Sequence, residues 1–468
     1  MTLIKSISGI RGTIGGTAGE NLSPEDIVKF ASAYGKWLQN SSSSSSLKVV
    51  IGRDARVSGP FVQSIVQSTL CFLGIDIIDL GLSTTPTVEM AVTRHKADGG
   101  IVITASHNPA QWNALKLLNN KGEFISGEDG EELLKIAEGS NIEYASFENM
   151  GSIIQDTDAI DLHINSILIL EEVLTQEISN KKYKVVVDAI NSTGVLSVPP
   201  LLEKLGIAEC TVINDDCSGM FAHNPEPLPK NLTDLSNKIR EQKADIGISV
   251  DPDVDRLVFV DENGEVFGEE YTLVAVADYL LSIKSGNTVS NLSSSRALRD
   301  VTESHGGKYY PSAVGEVNVV SQMKACDARI GGEGNGGVIY PGLHYGRDAL
   351  VGIALFLSHL AKLNCSVSEL RAKYPDYFIS KNKVDLQKGM DVQAVLDEVE
   401  KEFSNNDLNK VDGLKIEFDK EWVHLRRSNT EPIIRIYAES SDRDNAEALA
   451  SKVIKVIEAI AKKQIPAG

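Results

Sequence analysis

At 468 residues the chain exceeds what one hydrophobic core can serve, and ordinary domain sizes divide it into about three or four domains. Its 42% hydrophobic and 24% charged residues, with 38 Gly and 15 Pro, exclude a disordered, fibrous or disulfide-stapled chain. The formal net charge of -19 excludes broad attraction to nucleic acid or to an anionic membrane surface, since both need a positive field.

The first helical pattern runs from Pro24 to Leu38 behind Ser23 as N-cap, and the serine run Ser41 to Ser46 then reads as an exposed connector before the strand that starts at Lys48. Short β-branched runs follow at Ile75 to Gly81, Gly100 to Thr104, Tyr183 to Asp188, Thr211 to Asn214 and Asp245 to Val250, alternating with helical stretches. That alternation predicts α/β domains. From Leu257 to Phe267 the pattern is a hairpin with Asn263-Gly264 as a two-residue turn, which makes at least one sheet mixed.

Three buried-looking strands run straight into small polar loops: Gly100 to Thr104 into Ala-Ser-His-Asn-Pro, Asp245 to Val250 into Asp-Pro-Asp-Val-Asp-Arg, and Asp327 to Ile330 into Gly-Gly-Glu-Gly-Asn-Gly-Gly. Ligands of open α/β sheets bind at the carboxyl ends of strands, so three related domains facing one central cleft are expected. Beyond about residue 370 the pattern changes to a smaller α+β unit, with helices from Val392 to Phe403 and Asp444 to Lys462 and strands at Leu414 to Phe418 and Trp422 to Leu425. The expected domains are 1–154, 155–256, 257–370 and 371–468.

No Cys-x-x-Cys occurs among Cys71, Cys210, Cys217, Cys326 and Cys365, which suggests neither a disulfide framework nor a zinc ribbon and fits a reducing compartment. The first residues hold no apolar stretch of signal-peptide length, and the most apolar segment, Leu273 to Leu281, carries Asp278. A cytoplasmic protein with no membrane and no nucleic-acid partner is expected.

Asp251, Asp253 and Asp255 lie at alternate positions with Pro252 blocking a helix, so an extended backbone would turn all three carboxylates to one side. Three anions so close call for a cation, and hard oxygen donors favour magnesium over zinc. A solvated acidic turn is the plainer alternative. An EF-hand fits poorly, because Arg256 stands where its turn glycine belongs and Leu257 to Val260 reads as a strand. Ser106, in Thr104-Ala-Ser-His-Asn-Pro109, could be a turn cap. No Gly-x-Ser-x-Gly elbow supports acyl transfer.

The basic groups Arg11, Arg53, Arg56, Lys116, Arg256, Arg426 and Arg427 read as loop residues, each by itself an ordinary surface charge. Arg426 differs, because Ser428, Asn429 and Thr430 add hydroxyl, amide and backbone donors in the same turn, as a phosphate requires. Gly332 to Gly337 matches no nucleotide loop. Its glycines would instead bring Glu333 and Asn335 close to a polyol.

Taken together and in order, Thr-Ala-Ser-His-Asn-Pro, Asp-Pro-Asp-Val-Asp-Arg, Gly-Glu-Gly-Asn-Gly-Gly and Arg-Arg-Ser-Asn-Thr-Glu-Pro resemble the α-D-phosphohexomutase family over nearly the whole chain. The resemblance implies four domains around a central cleft, a phosphoserine at Ser106 that joins Asp251, Asp253 and Asp255 on magnesium, and a sugar loop with Glu333 and Asn335. It implies phosphate binding by Arg426, Ser428, Asn429 and Thr430, with Arg256 and Arg435 also on the substrate, and a sugar 1,6-bisphosphate intermediate. Lys116 falls where the family has its Ser-His-Asn-Pro-x-x-x-Asn-Gly-x-Lys lysine, with Ala114 in place of glycine. It is the candidate general acid/base, grouped with Arg11 and His107, and burial beside Arg11 is expected to lower its pKa. At Gly337 several family members carry histidine, and His344 nearby reads as structural. The small-molecule partner is a sugar phosphate, and the protein is expected as a monomer or homodimer. The stretch Lys5 to Thr13 is similar to bacterial proteins grouped with phosphoglucosamine mutases, whereas Ser428 to Pro432 is similar to the phosphomannomutase/phosphoglucomutase branch. A non-catalytic sugar-phosphate sensor is the rival from another class.

Overall fold

A computed structural model describes every residue except 1, 7, 8, 43, 45, 140, 141, 388, 389, 428–432 and 465–468. It divides into two compact units, Met1–Leu280 with Asn335–Arg371, and Leu281–Gly334 with Ala372–Gly468.

The first unit opens with a mixed sheet. Its strands are β1 (Ile4–Ser6), β2 (Gly9–Thr13), β3 (Lys48–Arg53), β4 (Asp76–Leu82), β5 (Gly99–Ile103), β6 (Trp112–Leu118) and β7 (Ile153–Gln155), ordered β1-β2-β6-β5-β3-β4-β7. β3 runs parallel to β4 and β5, while β6 is antiparallel to β5 and β2. β5 is buried along its whole length, as a run apolar on both faces must be. The helix Pro24–Ser41 starts as its sequence predicts. Ser23 and Asp26 form a reciprocal capping box, which occupies donors that helix formation leaves unpaired.

The second sheet of this unit is ordered β11-β10-β8-β9, built from β8 (Lys184–Asp188), β9 (Glu209–Ile213), β10 (Ile246–Val250) and β11 (Leu257–Val260). β10 is parallel to β8 and antiparallel to β11. The hairpin after β11 is present but differs from the expected two-residue turn. Gly264 N–H donates to Asp261 O at 2.9 Å and Asp261 N–H to Glu265 O at 2.8 Å, and Gly264 takes φ +77°. Three loop residues therefore separate the closing pair, with glycine in the left-handed position that ends such a turn.

The chain then passes through β12 (Asn287–Asn291), β13 (Tyr309–Ser312) and β14 (Ala328–Glu333) of the second unit before β15 (Gly337–Ile339) and the helix Ala349–Leu363 of the first. That helix is buried from Ala349 to Ala361 and is capped by Asp348, which accepts from Leu350 and Val351 N–H.

In the second unit β12 runs parallel to β13 and β14. Its C-terminal part is a five-stranded antiparallel sheet, β16-β20-β19-β18-β17, made of β16 (Phe378–Asp385), β17 (Asp407–Asn409), β18 (Leu414–Glu417), β19 (Trp422–Arg427) and β20 (Ile433–Ser440). Val395, Leu396 and Val399 of one helix and Val453 and Ile457 of another close a core against Ile416, Val423, Leu425, Ile434 and Ile436 of the sheet. Among the described residues, no helix is long and apolar enough to cross a membrane.

Candidate active site

Ser106 stands in the loop after β5 with φ +48°, a conformation that costs a residue with a Cβ roughly 1 to 2 kcal/mol and persists only where its surroundings impose it. The surroundings are visible. Asn108 N–H donates to Ala105 O at 3.0 Å, and Ser106 N–H donates to Thr104 Oγ1 at 2.9 Å. Beneath the loop lies Arg56, fully buried. Its guanidinium donates to the carbonyls of Ser106 (2.5 Å), Asn108 (2.6 Å), Pro109 (2.7 Å) and Trp112 (3.0 Å) and, through Nε, to Asp54 Oδ2 at 3.0 Å. Asp54 also accepts from Thr104 Oγ1 at 2.6 Å. All five guanidinium N–H groups are used, so the sequence expectation of a surface charge at Arg56 is corrected: it is the buried frame of the Ser106 loop.

Residues 251–256 follow β10 as a turn, not as the extended segment expected. Val254 N–H donates to Asp251 O at 3.1 Å and Val254 takes φ +61°, so the three aspartates converge because the backbone folds back on itself. Outside contacts hold the turn. Ser192 Oγ and Thr193 Oγ1 donate to Pro252 O at 2.7 and 2.9 Å, and Ala349 N–H donates to Val254 O at 3.2 Å.

Asp251, Asp253 and Asp255 are all fully buried and can bring one ligand oxygen each within 4.8 Å of the others. Asp251 Oδ1 accepts the N–H groups of Asp255 and Arg256, both at 3.1 Å, while its Oδ2 accepts Ser106 Oγ–H at 2.6 Å. Asp253 Oδ2 accepts from Thr85 Oγ1 at 2.6 Å and Lys116 Nζ at 2.7 Å. Asp255 Oδ2 accepts from Arg347 Nη2 at 2.7 Å and Lys116 Nζ at 3.1 Å. The remaining oxygens, Asp253 Oδ1 and Asp255 Oδ1, are buried without a hydrogen-bond partner. Buried carboxylate oxygens left unpaired are costly, and an oxygen-only donor set suits a hard divalent cation such as Mg2+. Burial and the charges of Asp255 and Asp253 push the Asp251 carboxyl well above its ordinary pKa. Asp255 goes the other way, because Arg347, Lys116 and Arg256 outweigh the effect of burial and hold it ionised.

Five of the seven basic groups expected in loops lie on strands: Arg53 ends β3, Arg426 and Arg427 end β19, and the other two are Arg11 and Lys116. Arg11 is in β2, opposite Ala114, and Lys116 is in β6, opposite Val102. Lys116 is 8% exposed, yet the expected fall in its pKa is contradicted. Burial does act downward, but the paired Asp253 and Asp255 carboxylates outweigh it and hold the ammonium above its ordinary range. His107 Nδ1 is 3.5 Å from Ser106 Oγ, and burial together with the Arg256 charge keeps its imidazole neutral. Arg256 is itself buried, 3.6 Å from Glu226 and 4.0 Å from Asp255.

The first unit thus brings together Ser106, His107, Lys116, Arg256 and the three aspartates. Asn335 is also in this unit, where its Oδ1 accepts from Gly337 N–H at 3.2 Å. The second unit holds Glu333, whose Oε1 accepts from Asn291 Nδ2 at 2.9 Å and Gly315 N–H at 3.1 Å. Arg426 and Arg435 face each other across β19 and β20, with Arg426 Nε 2.9 Å from Asp412 Oδ2. Ser428, Asn429 and Thr430 lie outside the described residues.

Sequence reasoning missed Arg347 and Thr85, which contact the triad directly. Local pattern carries no signal for Arg347; the structure shows its stem against Gly337, where a Cβ would stand 2.4 Å from Arg347 Cδ. His344, expected to be structural, packs between two carboxylates, with its Nδ1 3.4 Å from Glu89. Its Nε2 lies 3.3 Å from the helix cap Asp348, which His163 also meets at 2.9 Å.

Four domain models match the chain in order: phosphoglucomutase/phosphomannomutase alpha/beta/alpha domain I at 3–142, domain II at 162–264, domain III at 268–377 and the C-terminal domain at 381–456. A phosphoglucomutase/phosphomannomutase of Thermococcus kodakarensis is 35% identical over 453 residues, covering 96% of this chain and 98% of that one. A probable phosphoglucosamine mutase of Methanopyrus kandleri is 32% identical over 453 residues, covering 96% of each. Among solved structures, a phosphoglucomutase/phosphomannomutase family protein of Burkholderia thailandensis matches with a TM-score of 0.82 at 24% identity, over 100% of this chain and 99% of that one. A mutase of four α/β-type domains is what these matches define. The chain belongs to the phosphoglucomutase/phosphomannomutase family, whose members are magnesium-dependent isomerases interconverting sugar phosphates.

Proposed function

We propose that the chain interconverts hexose 6-phosphates and hexose 1-phosphates through a phosphoserine at Ser106 and a sugar 1,6-bisphosphate, with glucosamine 6-phosphate the preferred substrate and glucosamine 1-phosphate its product. The observation that carries the reading is the Ser106 hydroxyl, held 2.6 Å from Asp251 of the aspartate triad. A serine phosphate ester resists water, so it suits a carrier that waits between turnovers. Asp251, Asp253 and Asp255 would hold Mg2+, which when bound offsets charge on the phosphoryl oxygens.

Lys116, kept as an ammonium, donates its proton to the sugar oxygen as the oxygen–phosphorus bond breaks, because that alkoxide is a far stronger base than the carboxylates. When Ser106 attacks, its Oγ–H proton passes to Asp251 Oδ2, which it already meets at 2.6 Å, and it returns to Ser106 Oγ when the serine–phosphate bond breaks, while the neutral Lys116 takes the proton of the attacking sugar hydroxyl. Arg11 and the neutral His107 complete the proton-transfer group. Arg256, Glu333 and Asn335 bind the sugar, and Arg426 and Arg435 with Ser428, Asn429 and Thr430 hold the phosphate that is not reacting. The bisphosphate turns over while bound, which is why one phosphate-binding turn has to accept either end of the sugar. The reading includes a cytoplasmic location.

Glucosamine is preferred in this reading because relatives such as the Methanopyrus protein are named for it, while the Thermococcus kodakarensis relative keeps glucose and mannose phosphates as the alternative. The test is phosphate incorporation into Ser106 from glucose 1,6-bisphosphate, read by intact mass. Competition among glucosamine, glucose and mannose 6-phosphates for the charged enzyme then ranks the substrates. An unlabelled Ser106 would sink the phosphoserine route, and a higher kcat/KM on mannose or glucose phosphate would sink the amino-sugar preference.

A further inference from the structure

Magnesium is not the only cation the triad can use. Three carboxylates meet in the turn after β10, and two fixed side-chain cations already sit on them. Lys116 lies 2.7 Å from Asp253 and 3.1 Å from Asp255, and Arg347 lies 2.7 Å from Asp255. Lys116 and Arg347 are each no more than 8% exposed, so water screens these charges little. Arg347 reaches Asp255 by a built route. Its stem lies across Gly337, where an added Cβ would come within 2.4 Å of Cδ and 3.0 Å of Cγ. Asp348, the next residue, anchors the start of the helix behind it by accepting from Leu350 and Val351 N–H.

From this arrangement we infer that Arg347 is an internal counter-ion of the triad, placed by Gly337, that competes with the divalent cation and keeps its affinity low while Ser106 carries no phosphate. The inference rests on the reading that the triad holds the metal. Its physical content is a sign. A residue that only shaped the site would weaken metal binding when removed. A competing cation does the reverse, because its removal leaves Asp255 with only Lys116 and Arg256 beside it and a larger unbalanced anionic charge for the metal to meet. A phosphoryl group on Ser106 brings about two further negative charges, so the same positive charge that discourages metal on the free enzyme has an anion to balance on the charged one. Arg347 therefore acts on the metal through Asp255, as a positioning and charge-balancing residue.

The experiment is a titration of Mn2+ by electron paramagnetic resonance and of Mg2+ by calorimetry, on full-length protein shown by intact mass to carry no phosphate. Arg347→Met should tighten both metals by roughly tenfold or more, the scale of one unscreened charge. Arg347→Lys, which keeps the charge, should stay within about twofold of wild type. Gly337→Ala should fall between the two, because the new Cβ pushes the Arg347 stem aside. A misfolded site cannot bind metal more tightly, so the expected result is not confused with lost structure. Binding to Arg347→Met that is unchanged or weaker overturns the inference, as does wild-type affinity in Gly337→Ala. Asp253→Asn in the same titration separates the two levels. If it changes nothing and wild type binds no stoichiometric Mn2+, the triad is not the metal site and the underlying reading fails. If it weakens binding while Arg347→Met does not strengthen it, only the counter-ion inference fails.

Discussion

The Ser106 loop and the strand pair carrying Arg426 and Arg435 both enter the proposed function as phosphate sites, yet they are made in opposite ways. Around Ser106 the charges are buried: Arg56 and Asp54 have no exposure, and every N–H of the guanidinium has an acceptor. On β19 and β20, Arg426 is half-buried with Asp412 beside it, and Arg435 opposite is exposed. Buried charges cost several kcal/mol each to desolvate and survive only in complete networks, whereas exposed pairs add about 0 to 1 kcal/mol. The first design fixes an atom in place through every turnover. Two like charges facing each other across a sheet repel, which leaves them available to an arriving anion. A carrier that must not move needs the first design, and a clamp that must let the sugar turn needs the second.

The largest break in this comparison comes from the carrier itself. Ser106→Ala is expected to lower turnover by roughly 10⁴-fold or more, the scale on which loss of a covalent nucleophile acts, while chemical denaturation shifts by only about 1 to 3 kcal/mol, because the buried Asp251 Oδ2 loses a donor. Steady-state rates and urea curves measured on the same preparation decide it, and near-normal turnover would remove Ser106 from the mechanism.

The frame beneath it comes next. Arg56→Met strands Asp54, whose carboxyl burial already pushes upward in pKa and whose ionised form depends on the Arg56 charge. Removing one partner of a buried pair costs roughly 3 to 5 kcal/mol, and four backbone carbonyls of the Ser106 loop lose their donor as well. Denaturant unfolding should report that loss. A change below about 1 kcal/mol would mean that the network is not what holds the loop.

Asp253→Asn is smaller in reach. It leaves the fold and makes one of three anionic ligands neutral, so magnesium affinity and rate should fall together by at least about tenfold, the size of even an outer-shell change at a metal. A magnesium titration that coincides with wild type would place the metal elsewhere.

Much of this was legible in the sequence, and the exceptions share a cause. The strands around Ile101 and Ile248, the N-cap at Ser23 and the position of Asp251, Asp253 and Asp255 at a strand's end follow from local pattern, because a strand with a polar loop after it places residues at its own end. What was not legible depends on distant segments. Arg56 lies 50 residues from Ser106 and disappears into the interior beneath it. Arg347 meets Asp255 from 92 residues away. The sequence predicts burial of Lys116 and hence a lowered pKa, but its two carboxylate neighbours belong to another loop. The turn that gathers the aspartates uses a left-handed valine, which no propensity would predict.

The smallest expected effect tests the exposed side of the comparison. Arg426 sits on β19 shortly before Ser428, Asn429 and Thr430 in sequence, residue types that suit phosphate, and its guanidinium can offer a two-pronged, charge-assisted contact that an ammonium cannot reproduce. Arg426→Lys keeps the charge, so only the fork is lost. That should weaken the transition state by about 1.5 to 3 kcal/mol, roughly ten- to a hundredfold in kcat/KM. Because the bisphosphate must stay bound while it reorients, the variant should also release more of it into solution. Both quantities are to be measured on glucosamine, glucose and mannose phosphates. A clamp on the phosphate alone predicts a similar loss on all three sugars. A loss confined to one sugar would instead make Arg426 a reader of the ring, and unaltered efficiency on all three would end its role as a clamp and with it the division between a fixed carrier and a loose one.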